Sequence, residues 1–97
     1  MKVTFSPAAR NDIFEIADYI ASDNAAAAGS FVKNLAERCQ RLAAAPDGGR
    51  PRPELWSGLR SVVFRHYVIF YSHEVAALRI ERILHGARDF AAQFEKE

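Results

Sequence analysis

Cys39 is the only cysteine in the chain, so no disulfide can form within it and packing alone must hold the fold. No apolar run approaches the roughly 20 residues that a membrane-spanning helix needs. No basic, apolar, small-residue leader opens the chain. Together these absences predict a soluble, cytosolic protein with no membrane partner. Repeats and low-complexity segments are missing too. Ser57, Ser61 and Ser72 lack the Gly-x-Ser-x-Gly setting of a hydrolase nucleophile, and Gly48-Gly49 lacks the Lys-Ser/Thr ending of a phosphate-binding loop. His66, His73 and His85 stand seven and twelve residues apart, with no cysteine pair or His-Glu helical motif beside them. That is not a zinc signature, and neither metal nor cofactor is expected. Lysine is absent between Lys33 and Lys96, where every permanent cation is an arginine.

What is present suffices for a folded core. With 49% of its 97 residues hydrophobic and 11% aromatic, the chain predicts one domain over 1–97. A chain this small has little room for a deep enclosed site, so function is expected on a groove or an exposed face. The net charge of +1 says little, but its distribution says more. From Arg50 to Arg88, seven arginines stand against three acids. Arginine suits planar, bidentate pairing with carboxylate or phosphate, which points to a basic face that meets something acidic.

Residues 2–6 alternate polar and apolar and predict a strand. Ser6-Pro7 is a helix start, with serine as N-cap and proline at the first helical position. Ala9, Ile13, Ile16, Ala17 and Ile20 form the apolar stripe of a helix over 7–22, with Arg10, Asp12, Glu15 and Asp18 off it. Asp23-Asn24 caps a second helix over 24–45, whose stripe is Ala28, Phe31, Leu35, Cys39 and Leu42. Alanines on both helices permit close approach, which predicts an antiparallel hairpin. Cys39 reads as a core residue of this helix. Pro46-Asp47-Gly48-Gly49 ends it, and Pro51 and Pro53 exclude helix from the next stretch. Runs near 59–65, 67–73 and 77–85 are β-branched and aromatic with short connections, which predicts an antiparallel meander. Phe90 and Phe94, one turn apart, suggest a short terminal helix over 89–97.

The most informative segment is Arg82-Ile83-Leu84-His85-Gly86-Ala87-Arg88-Asp89, an apolar strand that runs through a glycine into a polar cluster. Strict alternation would put Leu78, Ile80, Arg82 and Leu84 on one face. Arg82 is then either turned by a bulge or semi-buried and paired, in one network with the His85-Arg88-Asp89 turn. An Arg88-Asp89 salt bridge tying down the C-terminus is the plainer alternative. Tyr67 and Tyr71 share a face and could join arginine and histidine in metal-independent nuclease chemistry, although inward tyrosines more often simply pack. Leu55 and Trp56 in the loop, and Phe14 and Tyr19 off the stripe of the first helix, are candidates for contact with a partner.

In their order these motifs identify a relationship. The carrying pieces are Phe5-Ser6-Pro7-Ala8-Ala9 with Asp12-Ile13 and Tyr19-Ile20, then Gly49-Arg50-Pro51-Arg52-Pro53-Glu54-Leu55. They continue through Gly58-Leu59-Arg60-Ser61, Tyr67-Val68-Ile69-Phe70-Tyr71 and the segment from Arg82 to Asp89. Over essentially its whole length the chain resembles the ParE toxins of the RelE/ParE toxin–antitoxin superfamily. The resemblance implies an α+β, β-αα-βββ fold, a helical hairpin packed on a small, mainly antiparallel sheet. It implies a bacterial cytoplasmic toxin, neutralised by a ParD-like antitoxin that wraps it, whose usual target is DNA gyrase or a related topoisomerase. Sequence-specific DNA binding by the toxin alone is not implied. RelE-like members of the same fold are ribosome-dependent mRNA endonucleases, and an inactive interaction module is a third reading. RelE-type enzymes place a catalytic arginine and tyrosine in the C-terminal stretch, where this chain has Phe90 and Phe94. They also draw on lysines near the second strand, where it has none. No catalytic residue is therefore assigned. Arg60, Arg65, Arg82, His85, Arg88, Asp89 and Phe90 are the candidates for target binding; Phe14, Tyr19, Leu55, Trp56, Phe90 and Phe94 are those for antitoxin binding.

Overall fold

A computed structural model describes residues 1–94. Strand β1, Lys2–Phe5, leads into helix α1, Pro7–Ala21. The Ser6 hydroxyl accepts from Ala9 N at 2.9 Å, and Pro7 takes the first helical position, where no N–H is needed. Asn24 caps helix α2, Ala25–Ala44, by accepting from Ala27 N at 3.0 Å. A single 3-10 turn at Pro46–Gly48 then leads to β2, Arg50–Pro51. Three longer strands follow, β3 at Arg60–Phe64, β4 at Tyr67–His73 and β5 at Ala77–His85. The short helix α3 occupies Phe90–Gln93. The expected strands and the two long helices are all present within a residue or two of their predicted ends, and the terminal helix starts within a residue of its predicted start but closes at Gln93. The two-residue β2 in the proline loop was not among them. The part of the predicted terminal helix beyond residue 94 lies outside the described residues.

The sheet order is β1-β5-β4-β3-β2. Neighbours are antiparallel except β1, which lies parallel to β5. The helical hairpin covers one face. There Phe31, Leu35, Cys39 and Leu42 of α2 meet Ile69, Tyr71, Leu78, Ile80 and Ile83, with Ile13, Ile16 and Ile20 of α1 packed alongside. On the opposite face Leu59, Val68, Phe70 and Leu84 form a second, smaller cluster, covered by Leu55, Phe90 and Phe94. The sheet is thus buried on both sides where the C-terminal turn lies over it. Burial also pushes the Cys39 thiol up to about 11, holding it protonated and unreactive at neutral pH.

Strict alternation fails in β5. Phe70 pairs with Arg82 but Tyr71 with Ile80, so Glu81 is an extra residue, a β-bulge. Leu78, Ile80 and Ile83 therefore share the helix-side core, while Leu84 joins the opposite one. The expectation that Leu78, Ile80, Arg82 and Leu84 share a face is corrected by this one residue.

Tyr71 shows how the proline loop is fixed. Its hydroxyl donates to Pro46 O and accepts from Gly49 N, both at 2.9 Å. A Cβ at Gly49 would collide with the Tyr71 hydroxyl and ring, so only glycine fits this close approach. Tyr71→Phe leaves the Gly49 amide without its partner in a buried setting and is expected to cost about 1–3 kcal/mol. Urea denaturation measures this; unchanged stability would mean that the bonds contribute nothing net.

Candidate functional site

Strand β1 ends at Phe5, so β5 beyond Ile80 has no strand on that side. An uncovered edge presents free N–H and C=O groups. Residues from the start of α1 satisfy them instead. Ser6 N donates to Ile80 O at 2.9 Å and the Ser6 hydroxyl to Glu81 O at 2.7 Å. Asp12 accepts from Ile83 N at 2.9 Å. The same carboxylate takes Arg82 in a two-pronged grip, Nε at 2.8 Å and Nη2 at 2.9 Å. Arg82 Nη1 reaches Gln93 O at 3.2 Å. Hydrogen bonding to Asp12 raises the already high pKa of this guanidinium, outweighing its partial burial. Arg82 is therefore turned by a bulge and also paired. Its partner is Asp12 of α1, 70 residues away in sequence, and not the His85-Arg88-Asp89 turn.

Asp12 is 6% exposed, although it was expected to lie off the apolar stripe of α1. The signal was available: Asp12 follows Ala9 by three residues and precedes Ile16 by four, so it lies within the apolar stripe. Arg52 was missed as well. Its guanidinium lies 5.7 Å from the Phe70 ring centre and 5.5 Å from that of Phe90, with Nε on the Ser61 hydroxyl at 2.8 Å. Bulged Glu81 is buried and accepts from Ser72 Oγ and Arg79 Nε.

The predicted target-binding residues do not form one site. Arg60 is engaged with the proline loop, donating to Asp47 O at 3.0 Å and Gly49 O at 2.8 Å. Asp89 caps α3 through Ala92 N at 3.4 Å. Among the described residues it forms no ion pair with Arg88, so the salt-bridge reading of the C-terminal turn is corrected. Phe90 and Phe94 stand edge-on to Phe70, with ring centres 4.9 and 5.0 Å away. Both belong to the second core, as does Leu55.

The rest gather at one end of the sheet. The His85 ring packs edge-on to Tyr67 at 5.6 Å and lies near-parallel to His66 at 6.4 Å. His85 Nδ1 accepts from Ala87 N at 3.1 Å, which leaves Nε2 to carry the proton and donate outward. A cleft of about 260 Å³ between α1 and the end of β5 is lined by Tyr19, Tyr67, His85, Arg88, Asp12 and Glu15. Burial, and secondarily Tyr19, raises the Tyr67 pKa, so its hydroxyl stays protonated. Of the predicted antitoxin contacts, Phe14 and Tyr19 are 70% and 77% exposed. Trp56 lies 6.4 Å from Phe94 and walls a larger groove of about 410 Å³ with Arg79, Glu81 and Arg82. Among the described residues no group of three or more His, Cys, Asp or Glu side chains could hold a metal ion, and no helix is long and apolar enough to cross a membrane.

The family model for the ParE toxin of type II toxin–antitoxin systems, parDE, matches residues 3–90. The chain belongs to the ParE toxin family. Among solved structures it is similar to a chain of the chromosomal ParDE TA system from P. aeruginosa, with a TM-score of 0.73 and 20% identity. That alignment covers 88% of this chain and 95% of the other. Similarity at that identity establishes the ParE-like fold. No curated protein matches this ParE-family chain in sequence.

Proposed function

We propose that this ParE-family toxin acts by binding and inhibiting DNA gyrase or a related topoisomerase in the bacterial cytoplasm, and that a ParD-like antitoxin neutralises it. The observation that carries the choice of target is the packing of Phe90 and Phe94. By the family resemblance they fall in the C-terminal stretch that carries a catalytic arginine and tyrosine in RelE-type nucleases, and both rings press on Phe70. Phenylalanine can neither stabilise a scissile phosphate nor move a proton. The exposed rings of Phe14 and Tyr19, with Trp56 at the rim of its groove, suit the anchors of an amphipathic antitoxin segment.

The test compares the purified toxin on gyrase with supercoiled DNA and on translating ribosomes. Lost supercoiling or trapped cleavage complexes are expected, each reversed by the antitoxin encoded beside it. Codon-specific mRNA cleavage with supercoiling untouched would overturn the reading.

A further inference from the structure

Four cationic or imidazole side chains lie on two adjoining turns at one end of the sheet. Arg65 and His66 form the two-residue turn between β3 and β4, and His85 to Arg88 form the turn that follows β5. Gly86 N donates to His66 O at 2.9 Å, which ties one turn to the other. Arg65, His66, His85 and Arg88 are all exposed. A chain of ring contacts links Arg65 to His85: the Arg65 guanidinium lies 6.0 Å from the Phe31 ring centre, Phe31 is 5.5 Å from Tyr67, and Tyr67 is 5.6 Å from His85. Among the described residues, neither Arg65 nor Arg88 forms an ion pair. The nearby acids are otherwise engaged. Asp12 holds Arg82 and Ile83 N, Glu15 accepts from Asn11 at 3.1 Å, and Asp89 caps α3.

Arg65 also carries a backbone cost. Its φ is +57°, the only positive value at a non-glycine residue among those described. The first position of a two-residue hairpin turn with positive φ suits glycine, which takes that conformation without strain. A long cationic side chain held in strained backbone is a pointer to function.

We propose that this tip binds the phosphodiester backbone of DNA without regard to sequence. The four groups offer guanidinium and imidazole donors from two joined turns, the donor types that contact phosphate oxygens. An acidic peptide would seat its side chains in a pocket between the charges, as in helix-in-groove recognition, but the cleft beside His85 and Arg88 is also walled by the carboxylates of Asp12 and Glu15, which repel an acidic side chain placed there. The proposal rests on the topoisomerase reading above in one respect: a target that holds DNA would bring a duplex within reach of the tip.

Fluorescence anisotropy of a labelled random-sequence duplex, titrated with the toxin alone, tests it. Dissociation constants in the micromolar range at about 50 mM salt are expected, weakening with a log–log salt slope of about −2 to −3 for two or three phosphates neutralised. Replacing both cations, Arg65→Gly with Arg88→Ala, should weaken binding at least about tenfold, whereas Arg41→Ala on the exposed side of α2 should leave it unchanged. Arg65→Gly by itself should raise Tm by a few degrees as the strain is relieved. A fall in Tm would instead assign Arg65 to packing over Phe64 and Phe31, against the proposal. Binding that ignores the double substitution would overturn it. So would binding of poly-glutamate with no binding of the duplex, which would point to a protein partner. Supercoiling assays on the same preparation separate the two readings. Gyrase inhibition without duplex binding sinks the tip and keeps the target, and duplex binding without inhibition does the reverse.

Discussion

Asp12→Ala is expected to lower the unfolding free energy by about 3–5 kcal/mol, because it strips three hydrogen bonds from a carboxylate that is nearly sealed. The loss has two parts. The Ile83 amide loses its acceptor on the edge of β5 that β1 does not reach. The Arg82 guanidinium, whose side chain is only 20% exposed, keeps its charge with its anionic partner gone. Against a total stability of about 5–15 kcal/mol for a typical domain, this would lower Tm by roughly 12 °C or more. Thermal melting and urea titration measure it. Asp12→Asn should fall in between, since the amide can still accept from Ile83 N but cannot grip both guanidinium nitrogens as an anion does. The sharper check is Arg82→Met in the Asp12→Ala background. Removing the orphaned cation should recover part of the loss, because an unpaired charge costs more than an absent pair. If that substitution destabilises further by its full single-site amount, Arg82 is not stranded and the account is wrong.

Phe70→Ala should cost a similar amount, about 3–5 kcal/mol, for a different reason. Phe70 has no exposed surface and is the contact on which the C-terminal turn rests. Phe90 and Phe94 stand edge-on to it, and the Arg52 cation lies over its ring. Removing the ring opens a cavity beneath α3 and loosens three neighbours at once. Because Trp56 lies against Phe94, tryptophan fluorescence should shift to the red while the helical signal of α1 and α2 persists below the lowered melting point. Phe90→Ala, at a partly exposed position, should lose clearly less. Equal losses for the two would mean that the second core is organised around the terminal helix and not around β4.

These two sites also mark the limit of what could be read from residues. The Ser6-Pro7 and Asn24 caps, the α2 stripe from Ala28 to Leu42, and the change from helical to alternating apolar period after the proline loop are local signals. Each depends on neighbours within a turn or a pleat, so each is written in the chain itself. The ParE-like order of elements followed from them. Phe90 and Phe94 were legible as apolar residues one helical turn apart. Where their rings would rest was not legible.

The sequence by itself determined the two helices, the three long strands, the arginine-only charge of the sheet region and the membership of the buried α2 stripe, all consequences of short-range periodicity and composition. Only the tertiary structure decided that β1 runs parallel to β5, that Glu81 bulges, and that Arg82 belongs to Asp12 across 70 residues. A strand pattern carries no information on which residue will be extra in a ladder, and one inserted residue exchanges the faces of all that follow. An ion pair between distant segments is set by where their backbones come to lie. Arg60, Arg65, Arg82 and Arg88, alike as residues, were therefore sorted into loop clamp, exposed tip and buried partner by packing alone.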